Sequence, residues 1–97
     1  MNIDDVLQKA RQIWGDDKLT LEEIIVRLTV NVGDISRLAR DKAEAGVLDE
    51  SELKKELGNT VFSLIRWCDD LGYDLKECLK LAAAAQRSYI QKRQASH

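Results

Sequence analysis

The sequence predicts an all-α protein, and three observations support that fold class. First, the 97 residues include no proline, so nothing interrupts a helix from within. Second, aromatic residues make up only 5% of the chain, while good helix formers are plentiful. Third, apolar residues recur at helical spacing in four segments with short connections, which favours a four-helix bundle with antiparallel neighbours. Because 44% of the residues are hydrophobic, we expect one core and a single domain over residues 1–97.

The first two helical segments have clear boundaries. The first is expected over about 3–14, followed by the turn residues Gly-Asp-Asp at 15–17. The second opens with a capping box, because the hydroxyl of Thr20 can accept from the amide of Glu23 while the Glu23 carboxylate reaches back. It is expected to run to about residue 45, where a glycine ends it.

The third and fourth segments follow the same logic. Asp49 or Ser51 can cap the third helix, which is expected to end at Gly72. Asp74 then opens the fourth helix. The later part of that helix is basic, which suits the negative end of a helix dipole, and its basic residues are Arg87, Lys92 and Arg93.

Composition and charge exclude several functional classes. The net charge is −2 with both signs mixed, whereas a nucleic-acid-binding protein needs a basic excess. No apolar run is long enough to span a membrane, and the acidic start has no secretory core, so we expect a cytoplasmic protein. Cys68 and Cys78 fit no zinc or redox spacing and are interpreted as buried thiols. No role is assigned to His97.

Helical-wheel positions place a polar stripe beside the main apolar stripe on each of the two middle helices. The expected core stripe of the second helix holds Leu21, Ile24, Ile25, Leu28, Val32, Ile35 and Ala39, and its polar stripe holds Arg27, Asn31 and Asp34. The expected core stripe of the third holds Leu53, Leu57, Thr60, Leu64, Trp67 and Cys68, and its polar stripe holds Glu56, Asn59, Ser63 and Arg66. Two pairs of oxygen-bearing residues three apart can converge on a hard cation. The alternative is that both stripes are ordinary solvated boundaries.

Both middle helices are also apolar away from their main stripes. Val26 and Val30 lie there on the second helix, and Phe62 and Ile65 on the third. A helix that is apolar on two sides is usually buried on two sides, so we expect a homo-oligomer, either a dimer or a dimer of dimers. The alternative is that the first or fourth helix covers these residues.

Three segments resemble motifs of the MazG-type all-α nucleotide pyrophosphohydrolases. Residues 27–35 resemble the helix that carries the family's E-E-x-x-E motif. Residues 56–59, Glu-Leu-Gly-Asn, resemble its E-x-x-D motif, usually E-L-G-D. Residues 71–77 resemble the L-G-I-D-L-E-E that opens the last helix. The resemblance covers roughly residues 24–93 and implies the all-α NTP pyrophosphohydrolase fold, completed by oligomerisation.

The resemblance also implies a reaction and a cofactor. Members of the family hydrolyse nucleoside triphosphates to the monophosphate and pyrophosphate, with Mg²⁺ held by the motif carboxylates. In this sequence the leading Glu positions fall on Val30 and Asn31, and the trailing one on Asp34. The second motif falls on Glu56, which keeps its charge, and Asn59, which does not. The implied metal ligands are therefore Asp34, Glu56, Asn31 and Asn59, a set in which only two members are charged.

The implied substrate contacts are equally altered. The Lys and Asn that the family uses on its last helix fall on Ala82 and Gln86, and only Gln86 can bind a phosphate. Arg27, one turn before Asn31, can supply positive charge as an ion-pair partner of Asp34 or Glu56. The indoles of Trp14 and Trp67 can stack on a base, although each can equally fill core volume. The implied substrate-binding residues are Gln86, Arg27 and Trp67.

Three functional hypotheses follow. In the first, the chain is a divergent but active Mg²⁺-dependent pyrophosphohydrolase. In the second, it is a non-catalytic descendant of the family that binds nucleotides or a protein partner, or simply assembles. In the third, it is an unrelated helical adaptor whose motif matches are coincidence. Because the acidic motif is eroded, the resemblance as a whole implies a MazG-like domain with weak or lost catalysis. In the second case a hydrogen-bonded polar cluster stands where relatives hold metal, and no cofactor is needed. No nucleic-acid or membrane partner is expected in any of them.

Overall fold

A computed structural model describes residues 1–95, and over this range the chain is helical with no strand. Its helices are α1 (Ile3–Trp14), α2 (Leu21–Ala45), α3 (Glu50–Asp70) and α4 (Leu75–Ala95). The predicted all-α class and the order of the four helices are confirmed. The last two residues, including His97, lie outside the described range.

The helix boundaries follow from local capping chemistry. The hydroxyl of Thr20 accepts from the Glu23 amide, and a Glu23 carboxylate oxygen accepts from the Thr20 amide at 3.1 Å, which confirms the predicted box. The hydrogen bonds that the Thr20 amide and hydroxyl donate to the Glu23 carboxylate lower the pKa of Glu23. Of the two candidate caps for α3, Asp49 is used, since its carboxylate accepts from the Glu52 amide at 3.1 Å. Asp74 accepts from the Lys76 amide at 3.0 Å at the start of α4.

Helix α3 is the centre of the molecule, and α1 and α2 pack against it. Arg11 pairs with Asp69, and Trp14 stacks on Arg66, so residue numbers rise along α1 as they fall along α3. The start of α2 likewise meets the end of α3, where Ile24 and Trp67 share one apolar cluster. Both α1 and α2 therefore run antiparallel to α3. The antiparallel packing predicted for helices joined by a short connection is confirmed for α2 and α3, whereas α1 and α2 run in the same direction and do not pack on each other.

The core of a single chain is small. Its buried apolar residues are Ala10, Leu19, Ile24, Leu38, Trp67 and Leu75. The radius of gyration is 16.5 Å, whereas a compact domain of about 100 residues has roughly 13 Å. The four helices therefore form an open arrangement.

The faces that α2 and α3 turn inward differ from the predicted core stripes. On α2 the inner face is centred on Ile24, Leu28, Asn31, Ile35 and Leu38, while Leu21, Ile25 and Val32 are exposed. On α3, Glu56, Arg66 and Trp67 are buried, while Leu57 and Leu64 are 48% and 42% exposed. The prediction that the main apolar stripe of α3 is the core face is wrong for these leucines. The physical reason is that the buried charges on α3 have partners, since Glu56 lies 3.5 Å from Lys55 Nζ and Arg66 donates to the carbonyl of Asp17 at 2.8 Å, so much of the cost of their burial is compensated.

Helix α4 leaves α3 soon after the turn that joins them. Leu75 is buried and Cys78 is half-buried, but every residue from Leu79 to Ala95 is exposed. Cys78 lies beside Cys68 at the base of this hairpin, where burial and the neighbouring thiol raise the pKa of Cys68. Both cysteines are free and half-buried, so the prediction of buried thiols is met only in part. None of the described helices is long and apolar enough to cross a membrane.

Candidate functional site

A cavity of about 290 Å³ opens between α2 and α3 beside the end of α1, and we call it the α2–α3 pocket. Its lining residues are Trp14, Arg27, Val30, Asn31, Asn59, Ser63, Arg66 and Trp67. Four residues singled out from the sequence, namely Arg27, Asn31, Asn59 and Trp67, therefore meet in one place. They meet because the two polar stripes face each other across an antiparallel helix pair.

Helical spacing sets the position of each lining side chain. Arg27 and Asn31 are one turn apart on α2, and Asn59, Ser63 and Arg66 follow turn by turn on α3. Trp14 is the last residue of α1, and Gly15 ends that helix at a φ of +58°. That backbone conformation suits glycine, so the turn stops α1 with its terminal indole over the end of α3.

Arg66 is the most firmly held group in the pocket. The residue is 5% exposed, and its Nη2 donates to the carbonyl of Asp17 at 2.8 Å. Its Nε lies 3.3 Å from Asp70 Oδ2 without hydrogen-bond geometry, so that contact is an ion pair only. The guanidinium centre stands 3.8 Å from the centroid of a Trp14 ring. These contacts fix a positive charge and an indole side by side.

Asn31 carries an unsatisfied group in the same place. Its Nδ2 is buried and has no hydrogen-bond partner within residues 1–95. A buried amide donor without a partner costs free energy of about 1–3 kcal/mol, and a ligand that accepts from it recovers part of that cost. The α2–α3 pocket is therefore incomplete as a hydrogen-bonding site.

The remaining predicted metal ligands lie next to this pocket. Glu56 and Asn59 line an adjoining depression with Lys55, Gly58 and Phe62. Glu56 is 7% exposed, and its Oε1 lies 3.5 Å from Lys55 Nζ. Asp34 is half-buried one turn after Asn31, and the antiparallel register of the helices places it level with Glu56.

Two sequence-based expectations fare differently. The predicted ion pair of Arg27 with Asp34 or Glu56 is wrong, because no salt bridge within 4.0 Å joins them in the described part of the chain. Arg27 instead lines the α2–α3 pocket. Gln86 lies on the exposed length of α4, away from the α2–α3 pocket of its own chain.

The donor set of the pocket fits an anion better than a magnesium ion. Two guanidinium groups, two amides and a hydroxyl line it, and none of its lining residues is a carboxylate. Over residues 1–95 no three His, Cys, Asp or Glu side chains are grouped so that they could hold a metal ion. Mg²⁺ prefers charged oxygen ligands, whereas guanidinium and amide N–H groups match phosphate or carboxylate oxygens.

Four members of the lining were not among the predicted site residues, namely Trp14, Val30, Ser63 and Arg66. Val30 was assigned to the outer, oligomer-forming side of α2, yet it lines the pocket while remaining 59% exposed. The contribution of Trp14 depends on the turn after α1, and the tight Gly-Asp-Asp sequence was the available signal for it.

Comparisons with protein-family models, curated proteins and solved structures find nothing that matches this chain.

Proposed function

We propose that this chain is a MazG-like domain that binds a nucleoside triphosphate in the α2–α3 pocket and hydrolyses it weakly or not at all. One observation carries the proposal: two arginines, two tryptophans and two asparagines line a single cavity between α2 and α3. Guanidinium groups recognise phosphate oxygens, indoles stack on bases, and amides hydrogen-bond to base edges. These are the groups that a nucleotide requires.

Each lining side chain has a place in this proposal. Arg27 is exposed and can reach the phosphates, whereas Arg66 is fixed and contributes a preorganised positive field. Trp14 is 39% exposed and Trp67 only 4%, so Trp14 is the indole on which a base can stack. The unsatisfied Nδ2 of Asn31 donates to an acceptor on the ligand.

The same chemistry supports weak or lost catalysis. Asp34 and Glu56 are the charged members of the four implied metal ligands, while Asn31 and Asn59 are neutral. Neutral amides bind Mg²⁺ less strongly than carboxylates do. With fewer charged ligands, the site attracts metal less and stabilises less of the charge that develops on the phosphates.

Assembly is a second part of the proposal, favoured by the surface of the molecule. Val26 and Val30 are 65% and 59% exposed on α2. Apolar side chains exposed on one side of a helix indicate a surface that contacts another molecule. Phe62 and Ile65 on α3 are half-buried. We propose a homo-oligomer, a dimer or a dimer of dimers, in which each subunit contains an α2–α3 pocket.

Tryptophan fluorescence tests nucleotide binding directly, because both tryptophans of the chain line the pocket. Canonical and modified triphosphates are titrated in the presence of EDTA, with thermal stabilisation measured in parallel. Saturable quenching is expected for the parent chain and is lost in Arg27→Glu. Arg37→Glu is the matched control, because Arg37 lies on α2 outside the pocket in an exposed pair with Asp41. Equal quenching of all three proteins would refute the assigned site.

Pyrophosphate release in Mg²⁺ or Mn²⁺ separates weak catalysis from none. Release that disappears in Asp34→Ala identifies an active, divergent enzyme, and thermal stabilisation without release identifies a binding module. The triple change Asn31→Glu, Asp34→Glu and Asn59→Asp is expected to create metal binding. If it creates none, the assignment of these residues to the MazG motifs is wrong.

A further inference from the structure

We propose that α4 of one chain packs antiparallel along α3 of a second copy of this chain. The inference adds to the homo-oligomer proposed above a contact surface distinct from that of Val26 and Val30, and it does not depend on nucleotide binding. It starts from two apolar stripes that are exposed beyond the base of the α3–α4 hairpin, where Leu75 is buried and Cys68 and Cys78 are half-buried. On α3 the outer stripe holds Leu57, Val61, Leu64, Cys68 and Leu71, and on α4 the stripe holds Leu75, Cys78, Leu79, Ala82, Gln86, Tyr89 and Ile90.

The two stripes are complementary in register. They meet at their bases, where the thiols of Cys68 and Cys78 are neighbours. That contact lies within one chain. If α4 takes the same antiparallel register on the α3 of a second copy, as in a domain swap, Ala82 lies opposite Leu64 and Tyr89 opposite Leu57. Yet Leu57, Leu64 and Tyr89 are 48%, 42% and 63% exposed in the single chain. Within one chain, α3 and α4 therefore do not pack together along these stripes.

The turn between the two helices fixes the direction in which α4 leaves. The amides of Leu71, Gly72 and Tyr73 donate to carbonyls of α3 at 2.9–3.1 Å. Gly72 has a φ of +79°, and Lys76 Nζ lies 3.6 Å from Asp4 Oδ2 on α1. Because the base of α4 is held in this way, folding back along its own α3 requires this turn to rearrange. Packing along the α3 of a second copy requires no such change.

A single chain exposes more than enough excess surface for an interface of standard size. The single chain has 7508 Å² of accessible surface, whereas a compact monomer of this mass has about 5,600 Å². The excess is roughly 1,900 Å² per chain by that scaling, against about 800 Å² per partner in a standard stable interface. A second copy is thus an occupant of sufficient size.

Charge favours the same antiparallel pairing. After Glu77, α4 carries no acidic residue, and Arg93 continues its apolar stripe at the far end. The opposing stripe of α3 begins at Glu50, next to the capping carboxylate of Asp49. Antiparallel packing brings the basic end of α4 to this acidic start, as the dipoles of both helices also favour.

Sedimentation equilibrium of the nucleotide-free protein is the first test. A mass of twice 11.0 kDa, or a higher multiple of that dimer, is expected for the parent chain. Leu64→Glu and Ile90→Glu should each weaken association at least tenfold. Val47→Glu is the control, because Val47 is 69% exposed between α2 and α3 and lies on neither stripe, so it should associate normally. Val26→Glu probes the other apolar surface separately. A monomeric parent chain, or an oligomer that only Val26→Glu disrupts, would overturn the inference.

Charge exchange and cross-linking keep the inference falsifiable if a glutamate variant fails to fold. Arg93→Glu should weaken association severalfold, and adding Glu50→Arg should restore it. In a Cys68→Ser, Cys78→Ser background, a chain with Leu57→Cys is mixed with a chain carrying Tyr89→Cys and mildly oxidised. A disulfide between the two chains is expected. A chain carrying both new cysteines that remains monomeric and forms the disulfide internally would show that α4 closes on its own α3 instead.

Discussion

The end of α3 around Trp67 and the exposed length of α4 use their side chains in opposite ways. At the end of α3, charged groups are buried and partnered, and Arg66 and Asp70 lie together beneath Trp14. Along α4, apolar residues such as Leu81 and Tyr89 are 66% and 63% exposed. Amphipathic periodicity alone would predict exposed charged groups at the end of α3 and buried apolar residues along α4, since it places polar residues outside and apolar ones inside.

The difference shows where the stability of a single chain is concentrated. The apolar cluster of Leu19, Ile24 and Trp67 is contiguous with the Arg66 ion pairs, so α1, α2 and α3 are joined at one end. Helix α4 shares only its base with that region. We therefore expect changes at the end of α3 to alter the free energy of unfolding of each chain, and changes along α4 to alter association.

The largest effect is expected from Trp67→Ala. Trp67 is 4% exposed, and removing a buried indole typically costs about 3–5 kcal/mol, which is a large share of the stability of a small domain. Urea unfolding followed by far-UV circular dichroism measures the loss. Tyr89→Ala is the comparison, and its unfolding midpoint should fall mainly where protein concentration is high enough for association. Equal losses in both variants at all concentrations would contradict the distinction between the two regions.

Arg66→Met should rank next. It removes the partner of Asp70, whose side chain is 8% exposed, and breaking a buried ion pair typically costs about 3–5 kcal/mol. Replacing Arg66 with an apolar side chain of similar length recovers part of this, so we expect the lower end of that range. Arg11→Met removes the exposed pair with Asp69 at 2.8 Å and should cost far less, since solvent screens it. The two unfolding curves decide the order.

A capping change should have a smaller effect. Thr20→Ala removes the side-chain cap of α2 and is expected to lower the free energy of unfolding by about 1 kcal/mol. Thr29→Ala is the matched control, because Thr29 is exposed within the same helix and its hydroxyl only donates back to the Ile25 carbonyl. Its unfolding midpoint should be unchanged or slightly higher. A larger loss at Thr29 than at Thr20 would show that the capping box does not hold the start of α2.

The smallest effect is a pH dependence from Asp69. The hydrogen bond from Arg11 holds the pKa of Asp69 below its usual 3.8. Since the folded pKa is the lower one, this contribution is present above the unfolded pKa and is lost as pH falls through the folded value. Urea midpoints measured downward from pH 5 should fall less steeply in Asp69→Asn than in the parent chain. Parallel curves would mean that the pair contributes no pH-dependent stability.

Much of the fold was predictable from the sequence because local signals determine it. The turn at Gly15, the box at Thr20 and the cap at Asp74 act over a few residues, and the helices begin and end where these signals predict. The inner face of α3 was not predictable in the same way. Whether Arg66 or Leu64 points inward depends on Asp17 and Trp14, which belong to other elements.

The candidate site was predictable to a similar extent. The polar stripes identified Arg27, Asn31 and Asn59, and the antiparallel pairing of two helices brought them together. The pairing of Arg27 was not predictable, because helical spacing shows on which side of a helix a residue lies but not how far a long side chain reaches. The position of Gln86 depends on where α4 packs, which the sequence leaves open between one chain and two.

Isothermal titration calorimetry of a nucleoside triphosphate into the protein, with EDTA and again with Mg²⁺, tests the central claim most directly. If the α2–α3 pocket binds phosphate through arginine and amide groups, saturable heat appears in EDTA and is lost in Arg27→Glu. Arg37→Glu keeps the heat of the parent chain. Heat that appears only with Mg²⁺, or micromolar binding of Mg²⁺ itself, would contradict the claim and indicate that the site binds a metal ion.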